Sequence, residues 1–204
     1  MKLARSFYDR PTLDVARDLL GMVLVHNRGR VATSGIIVEV EAYIGESDPA
    51  CHAAPGPTRR NDPLYGAPGH AYVYLNYGIH CLVNVVTEAH GSPAAVLIRA
   101  LDPLDGIPAM RRRRGRATKG RATRRDPQAL PQHALCRGPG NLTTALGITL
   151  AENRLDLLGD RLYVEDRGLR TGPILWGPRI GIRVGTERPW RAWVAGHPAV
   201  SGQR

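Results

Sequence analysis

The chain has 204 residues, which suits one domain with a sizeable core and leaves little room for a second domain. Its formal net charge of +10 indicates a polyanionic partner, although a coding bias toward Arg could contribute to the arginine content. No apolar run reaches membrane-spanning length and the first residues contain no apolar signal core, so we expect a soluble, cytoplasmic protein. The three widely spaced cysteines argue against a disulfide framework and against a zinc ribbon.

The N-terminal part of the chain predicts one short amphipathic helix and two strands. Apolar residues at helical spacing predict the helix over Asp9–Leu20, with Asp9 as the N-cap and Gly21 at its end. Apolar, β-branched runs at Met22–His26 and Ile36–Tyr43 predict neighbouring strands.

The second of these strands presents two carboxylates on one face. Val38 and Val40 alternate with Glu39, Glu41 and Tyr43, so the valines belong to the core and the polar residues to the opposite face. Two interpretations stay open at this point. The carboxylates are either solvated residues on the outer face of a sheet, as is common, or members of a site.

A long segment without regular pattern follows, over Gly45–Gly69. Loops of this length in a compact domain are usually functional or disordered. The segment contains His52 and the adjacent basic pair Arg59 and Arg60. His52 by itself is typical of an ordinary surface histidine, and the basic pair suits contacts to a nucleic-acid backbone.

Residues 70–86 predict a β-hairpin with an aromatic residue at its tip. Tyr72 and Tyr74 alternate with apolar residues, and Asn76-Tyr77-Gly78 provides residue types that tolerate a positive φ in a tight turn. Hairpin tips are usually polar, because an exposed aromatic ring there buries nothing. Three tyrosines on one hairpin suit a protein that stacks on flat rings or inserts between them.

An arginine interrupts the apolar run Ala94–Leu101, which otherwise predicts a buried strand. A buried guanidinium needs a carboxylate or several other acceptors close by. We therefore expect Arg99 to pair with Glu39 or Glu41.

The next segment is strongly basic. A helix is predicted over Asp105–Arg114, and Arg111–Arg125 contains nine basic residues and no acidic one, which favours a mobile basic loop. Candidate contacts to a nucleic-acid backbone in the chain are Arg59, Arg60, Arg111, Arg112, Arg113 and Arg114.

The C-terminal third predicts one helix and further strands. A Gly-Pro-Gly turn precedes a helix that ends at Leu146, with Asn141 as its N-cap and an N-terminus that could receive a phosphate. Strands are predicted at Arg161–Val164 and Arg179–Val184. Strands outnumber helices, which predicts an α+β fold: one domain over residues 1–204 with a mixed, mainly antiparallel, curved sheet, flanking helices and a protruding hairpin.

With these segments placed, the chain resembles the 3-methyladenine DNA glycosylase family of the alkyladenine type, including its bacterial members. The blocks that carry the resemblance are Val38–Tyr43, Tyr72–Gly78, Val96–Leu101, Gly138–Leu142 and Pro178–Ile182. They occur in the family's order and span nearly the whole chain. The resemblance implies excision of alkylated or deaminated purines from double-stranded DNA of the nucleoid by a monomer that needs no cofactor or metal.

The resemblance also implies roles for individual residues. Glu41 matches the residue that activates water, and Arg99 matches the arginine beside that water. Tyr43, His52 and Tyr74 match residues that hold the extruded base between aromatic rings.

Two further matches concern the DNA and the choice of base. Tyr77 matches the tyrosine that enters the space the base has left, and Asn84 matches a residue that discriminates against guanine. The chain departs from the family pattern at Leu64-Tyr65, at Cys51 and at Ala192-Trp193. These departures bear on pocket shape and substrate range.

Three other functions are weighed against this one. A glycosylase that also cuts the strand through a Schiff base needs an amine. Lys2, Lys119 and the N-terminus are the candidates, and none falls in the group of carboxylates and tyrosines. A metal-dependent nuclease is disfavoured because the His and Cys residues lack ligand spacing. A non-catalytic nucleic-acid-binding module would use the same tyrosines and arginines, but it has no need to bury Arg99 opposite a carboxylate.

Overall fold

An antiparallel sheet of eight strands is the centre of the fold in the computed structural model, which describes residues 1–117 and 130–202. The strands are β1 (Val23–Arg28), β2 (Val31–Ile44), β3 (Ala71–Asn76), β4 (His80–Val86), β5 (Ala94–Pro103), β6 (Leu162–Glu165), β7 (Ile174–Gly177) and β8 (Arg191–Val194). Their order is β3-β4-β5-β2-β1-β6, with β8 paired to β2 and β7 paired to β8. The expected α+β fold with a protruding hairpin is confirmed, and every strand pairing among the described residues is antiparallel.

Helices cover part of this sheet. They are α1 (Arg5–Tyr8), α2 (Thr12–Leu19), α3 (Ile107–Ala117) and α4 (Pro139–Leu146), with short 3₁₀ turns at Asp62–Tyr65, Gln132–Ala134 and Leu150–Glu152. Helix α2 packs on β2 and β5, and α4 packs on β4 and β5. The main apolar core lies between these layers. None of the helices in the described ranges is both long and apolar enough to cross a membrane.

Strand β2 lies in the middle of the sheet and is buried on both faces. It pairs with β1, β5 and β8, and its register against β5 shifts on either side of Glu39, which marks a β-bulge. Glu39 and Glu41 are both fully buried. The interpretation of these carboxylates as solvated residues on an outer face is therefore wrong.

Both predicted N-caps are wrong. Helix α2 begins at Thr12 with Pro11 as its N-cap, while Asp9 ends the separate helix α1 by donating its N–H to the carbonyl of Arg5. Helix α4 begins at Pro139, because Gly138 adopts a φ of 95° that suits glycine and proline favours the first helical position.

The strand predicted at Arg179–Val184 is also wrong, since this segment is an irregular loop between β7 and β8. Gly181 and Gly185 have positive φ angles of 80° and 63°, which interrupt an extended conformation. The backbone N–H of Ile180 bonds to the Glu41 carboxylate instead of to a neighbouring strand.

The basic segment begins as helix and not as loop. Helix α3 continues to Ala117, and Arg113 donates to the carbonyls of Ala145 and Leu146 at 3.0 and 2.6 Å, where α4 ends. A guanidinium at this position satisfies helix carbonyls that have no partner within the helix. The remainder of the predicted mobile loop, from residue 118 onward, lies outside the described residues.

Candidate active site

A cleft of about 340 Å³ opens between three parts of the chain, and its volume is typical of small-molecule sites. The β3–β4 hairpin forms one side, the loop between β2 and β3 a second, and the loop between β7 and β8 a third. The hairpin contributes Tyr72, Tyr74 and Tyr77 to the lining. The loop between β2 and β3 contributes Cys51 and His52, and the loop between β7 and β8 contributes Ile180–Ile182. Arg99 and Asn84 contribute from β5 and β4.

Arg99 lies between two buried carboxylates, as expected from the sequence. Its Nη1 is 3.2 Å from Oε2 of Glu41, and its Nε donates to Oε1 of Glu39 at 3.2 Å. Burial opposes the positive charge of Arg99, but Glu41 and Glu39 outweigh that penalty and raise its pKa. The guanidinium therefore stays charged in the cleft.

The two carboxylates differ in their other partners. Glu41 accepts a hydrogen bond from the Tyr43 hydroxyl at 2.9 Å and another from the backbone N–H of Ile180 at 2.7 Å. Both of these partners line the cleft, as Arg99 does. Glu39 instead accepts the backbone N–H of Ser201 at 2.7 Å, and Ser201 is not among the residues that line the cleft. Glu41 is thus the carboxylate next to the cleft.

His52, Tyr72 and Tyr74 form one aromatic cluster in the lining of the cleft. The rings of Tyr72 and Tyr74 stack with centroids 5.3 Å apart, and His52 meets Tyr74 edge to face at 4.5 Å. Nδ1 of His52 is 2.8 Å from the hydroxyl oxygen of Tyr72. No ring fits between His52 and Tyr74 unless they separate, so a flat ligand would have to lie against the cluster as a whole.

Burial keeps these rings uncharged. It lowers the pKa of His52, helped by the nearby charge of Arg60, so the imidazole is neutral at pH 7. Burial raises the pKa of Tyr72 to about 12 and also raises those of Tyr43 and Tyr74. The three phenols therefore keep their protons, and the Tyr43 hydroxyl donates to Glu41.

Asn84 lies deep in the cleft and is fixed by the hairpin itself. It is buried, and its Nδ2 donates to the backbone carbonyl of Tyr72 across the β3–β4 pair at 3.0 Å. This bond leaves the amide oxygen available to a ligand. Tyr72 was not assigned a site role from the sequence, although its spacing of two from Tyr74 places both rings on the same face of the strand.

The hairpin tip has the geometry that the sequence predicts. Tyr77 and Gly78 both have positive φ angles, 48° and 68°, and Ile79 N–H closes the turn onto the Asn76 carbonyl. The side chain of Tyr77 is 86 % exposed at the edge of the cleft. A positive φ is uncommon at a residue other than glycine, so the tight turn places Tyr77 in a backbone conformation that this residue type rarely adopts.

The candidate backbone-binding arginines occupy three different environments. Arg59, Arg60 and Arg112 are exposed. Arg111 donates to the carbonyl of Leu130. Arg113 contacts the end of α4, as described above, and Arg114 donates to the side chain of Asn141 near its start.

Sequence reasoning missed the loop between β7 and β8 as a side of the cleft. Ile180–Ile182 was assigned to a strand, and the only signal that could have corrected this was the Pro178 and Gly181 pair. Asp48 and Arg179, which join this loop to the one that contains His52, were not singled out either.

Comparison with known proteins gives a family for this cleft and fold. The family model for methylpurine-DNA glycosylase matches residues 6–198. The chain belongs to the methylpurine-DNA glycosylase family. A relative from Methanocella arvoryzae is 49% identical, with 98% of this chain and 95% of the relative covered.

Other relatives in the methylpurine-DNA glycosylase family are similar over almost their full length. A protein from Chlorobaculum tepidum is 44% identical over 98% of this chain and 90% of its own. One from Burkholderia lata is 45% identical over 98% of this chain and 91% of its own. All three carry the name "Putative 3-methyladenine DNA glycosylase".

Proposed function

We propose that this protein is a DNA-3-methyladenine glycosylase of base excision repair, which removes alkylated or deaminated purines, including hypoxanthine, from duplex DNA. The observation that carries the proposal is the buried Glu41–Arg99 pair directly beneath a cleft lined by aromatic rings. The family membership and the names of the relatives support the same reaction. The enzyme acts as a monomer on double-stranded DNA that contains a damaged purine.

The damaged nucleotide has to leave the base stack to reach the cleft, which costs a few kcal/mol. Tyr77 is exposed beside the cleft and enters the space left in the duplex, offsetting part of that cost. The extruded purine lies between Tyr43 and the cluster of His52, Tyr72 and Tyr74. Asn84 contacts its edge and disfavours normal guanine.

The reaction is a hydrolysis at C1′ of the sugar. As the N-glycosidic bond breaks, its electron pair leaves with the base and positive charge develops on the sugar. The Glu41 carboxylate stabilises that charge and takes a proton from the attacking water, while Arg99 orients the water and the carboxylate. The products are a free base and an abasic site. Each Glu41 oxygen can accept more than one hydrogen bond, so the bonds from Tyr43 and Ile180 leave capacity for water.

We infer that the enzyme does not cut the DNA strand. Strand cleavage through a Schiff base would require a nucleophilic amine at C1′. Lys2 donates to the Gly159 carbonyl and pairs with Asp160, and the amino group of Met1 donates to the Asp166 carbonyl. Neither residue lines the cleft, and Lys119 lies outside the described residues. A lyase is therefore the weaker of the two enzyme candidates.

The test is an excision assay on a panel of duplexes, each with one modified purine opposite its normal partner. We expect release of free 3-methyladenine or hypoxanthine, and a strand that stays intact until alkali cleaves the abasic site. Strand cleavage without alkali would identify a lyase. Binding to the lesion duplexes with no base released would identify a non-catalytic binding module.

A further inference from the structure

A buried ion pair beside the cleft connects two of its three sides. Nη1 of Arg179 donates to Oδ2 of Asp48 at 2.5 Å, and Nη2 donates to Oδ1 at 2.8 Å. Both side chains are fully buried. Arg179 also donates to the carbonyls of Ala42 on β2 and of Gly185 within its own loop, at 3.0 and 3.3 Å.

Each partner of this pair is continuous with residues of the cleft. Asp48 accepts the N–H groups of Ile44 and Ala50, which fixes the loop immediately before Cys51 and His52. Arg179 directly precedes Ile180, whose N–H contacts Glu41. The ion pair therefore sets the separation between the side of the cleft that contains His52 and the peptide that contacts the reacting carboxylate.

The same guanidinium also supports the Tyr43 ring. Its Cζ is 4.6 Å from the centroid of Tyr43 and 5.2 Å from that of Trp190. Arg188 stacks on Trp190 in turn, at 4.7 Å. Tyr43 is thus in contact with Arg179 through its ring and with Glu41 through its hydroxyl.

We propose that Asp48 and Arg179 are a positioning pair for base excision, which holds Tyr43, the Ile180 peptide and the His52 loop in the arrangement that the reaction requires. This inference rests on the proposed glycosylase function. A buried ion pair contributes little net stability compared with apolar residues of similar size, so stability alone does not account for it. The planar fork of Arg179 makes four contacts at once, which a lysine ammonium cannot reproduce.

The experiment measures single-turnover excision and thermal melting for Arg179→Lys and Asp48→Asn. Asp48→Asn keeps the shape of the side chain but removes its charge, and Arg179→Lys keeps the positive charge but replaces the planar fork with a single ammonium, so each removes the two-point ion pair. We expect at least a tenfold loss in excision rate, while affinity for undamaged duplex stays within about twofold, because neither buried side chain reaches a phosphate. The double variant should lose no more than the worse single variant, since both break the same contact.

Arg161→Lys and Glu152→Gln carry the same kinds of substitution in a control ion pair that does not line the cleft, with Glu152 buried and Arg161 half exposed. We expect them to lower the melting temperature without changing the excision rate, measured where every variant is folded. Equal losses of rate at both pairs, or unchanged rates for Arg179→Lys and Asp48→Asn, would overturn the inference and leave the proposed function standing. A wild-type protein that releases no base would overturn both.

Discussion

Glu39 and Glu41 are both buried and both reach Arg99, but apart from Arg99 only Glu41 has partners that line the cleft, namely Tyr43 and Ile180. Glu39 is held by the backbone of Ser201 and lies 3.7 Å from Nε of Arg191. Arg99 carries one positive charge and faces the two carboxylates of Glu39 and Glu41. Arg191 supplies a second positive charge near Glu39, because an unpaired buried carboxylate would lower the stability of the fold. We therefore expect Glu39 to hold Arg99 in position, while Glu41 remains the proposed catalytic carboxylate.

Glu41→Gln should nearly abolish base excision, with a loss of about a thousandfold or more, because an amide cannot take the proton from water. Affinity for lesion duplex should change little, since shape and polarity are retained. Single-turnover excision and equilibrium binding on the same variant measure both effects.

Glu39→Gln is the matched control, because it lies on the same strand and contacts the same arginine. We expect a smaller loss of excision and a lower melting temperature. If Glu39→Gln abolished excision and Glu41→Gln did not, the residue that takes the proton from water would have been assigned to the wrong carboxylate.

At the scale of elements, the β3–β4 hairpin has two separate tasks. Its strands place Tyr72, Tyr74 and Asn84 inside the cleft, while its turn holds Tyr77 in solvent. The turn residues contact little else, so their contribution to stability is small. The tip and the strands should therefore respond differently to substitution.

Tyr77→Ala should leave the melting temperature nearly unchanged, since a ring that is 86 % exposed buries little apolar area. Excision should fall, because the flipping equilibrium shifts toward the stacked base. The loss should be larger for lesions in stable base pairs than for mismatched lesions, which cost less to extrude.

Thermal melts and excision rates on paired and mismatched lesions decide this point. Tyr74→Ala provides the contrast, because this ring is packed against His52 and Tyr72, and its loss should lower stability and excision together. If Tyr77→Ala reduced excision equally for paired and mismatched lesions, Tyr77 would not act by filling the space that the extruded base leaves.

At the scale of the whole molecule, the net charge of +10 gives the surface a general attraction for DNA. The candidate arginines do not contribute equally to it. Arg59, Arg60 and Arg112 are exposed, while Arg113 is used in the contact between α3 and α4. Charge count alone therefore overstates the number of arginines free to meet phosphates.

Arg59→Gln with Arg60→Gln should weaken binding to undamaged duplex and flatten its dependence on salt. Each lost phosphate contact lowers the log–log slope by about 0.9. Binding isotherms across a salt series measure the slope. Arg30→Gln, an exposed arginine at the β1–β2 turn that does not line the cleft, is the control. If Arg30→Gln weakened binding and flattened the salt dependence as much, Arg59 and Arg60 would not mark the part of the surface that contacts DNA.

Stability should fall as pH drops from 7 toward 5. Burial lowers the pKa of His26 below its usual 6.5, so the unfolded chain takes up a proton that the folded protein does not. Below pH 6.5 this difference lowers the free energy of unfolding by up to about 1.4 kcal/mol per pH unit. Denaturant titrations at several pH values measure it.

His26→Asn should reduce that pH dependence, and the part that remains belongs to His52, whose pKa is lowered in the same direction. The groups around His26 are Glu152, Arg113 and Arg161. An unchanged slope in His26→Asn would show that His26 is protonated equally in the folded and unfolded states.

The sequence by itself determined the features that depend on neighbours along the chain. Alternation predicted the strands, and the Asn76-Tyr77-Gly78 turn predicted the exposed ring, because backbone preferences act over a few residues. Arg99 in an apolar strand required a carboxylate, and it is paired with both candidates. The resemblance in the same residues identified the family that the comparison shows.

Only the tertiary structure decided which carboxylate faces the cleft. That choice depends on Ile180 and Ser201, which lie 139 and 162 residues from the glutamates they contact. The strand predicted in the loop between β7 and β8 was wrong for the same reason. The backbone N–H of Ile180 bonds to the distant Glu41 carboxylate instead of to a neighbouring strand. The local sequence determines whether a segment alternates like a strand and where it turns. The partners of a buried charge come from segments that are distant in the sequence.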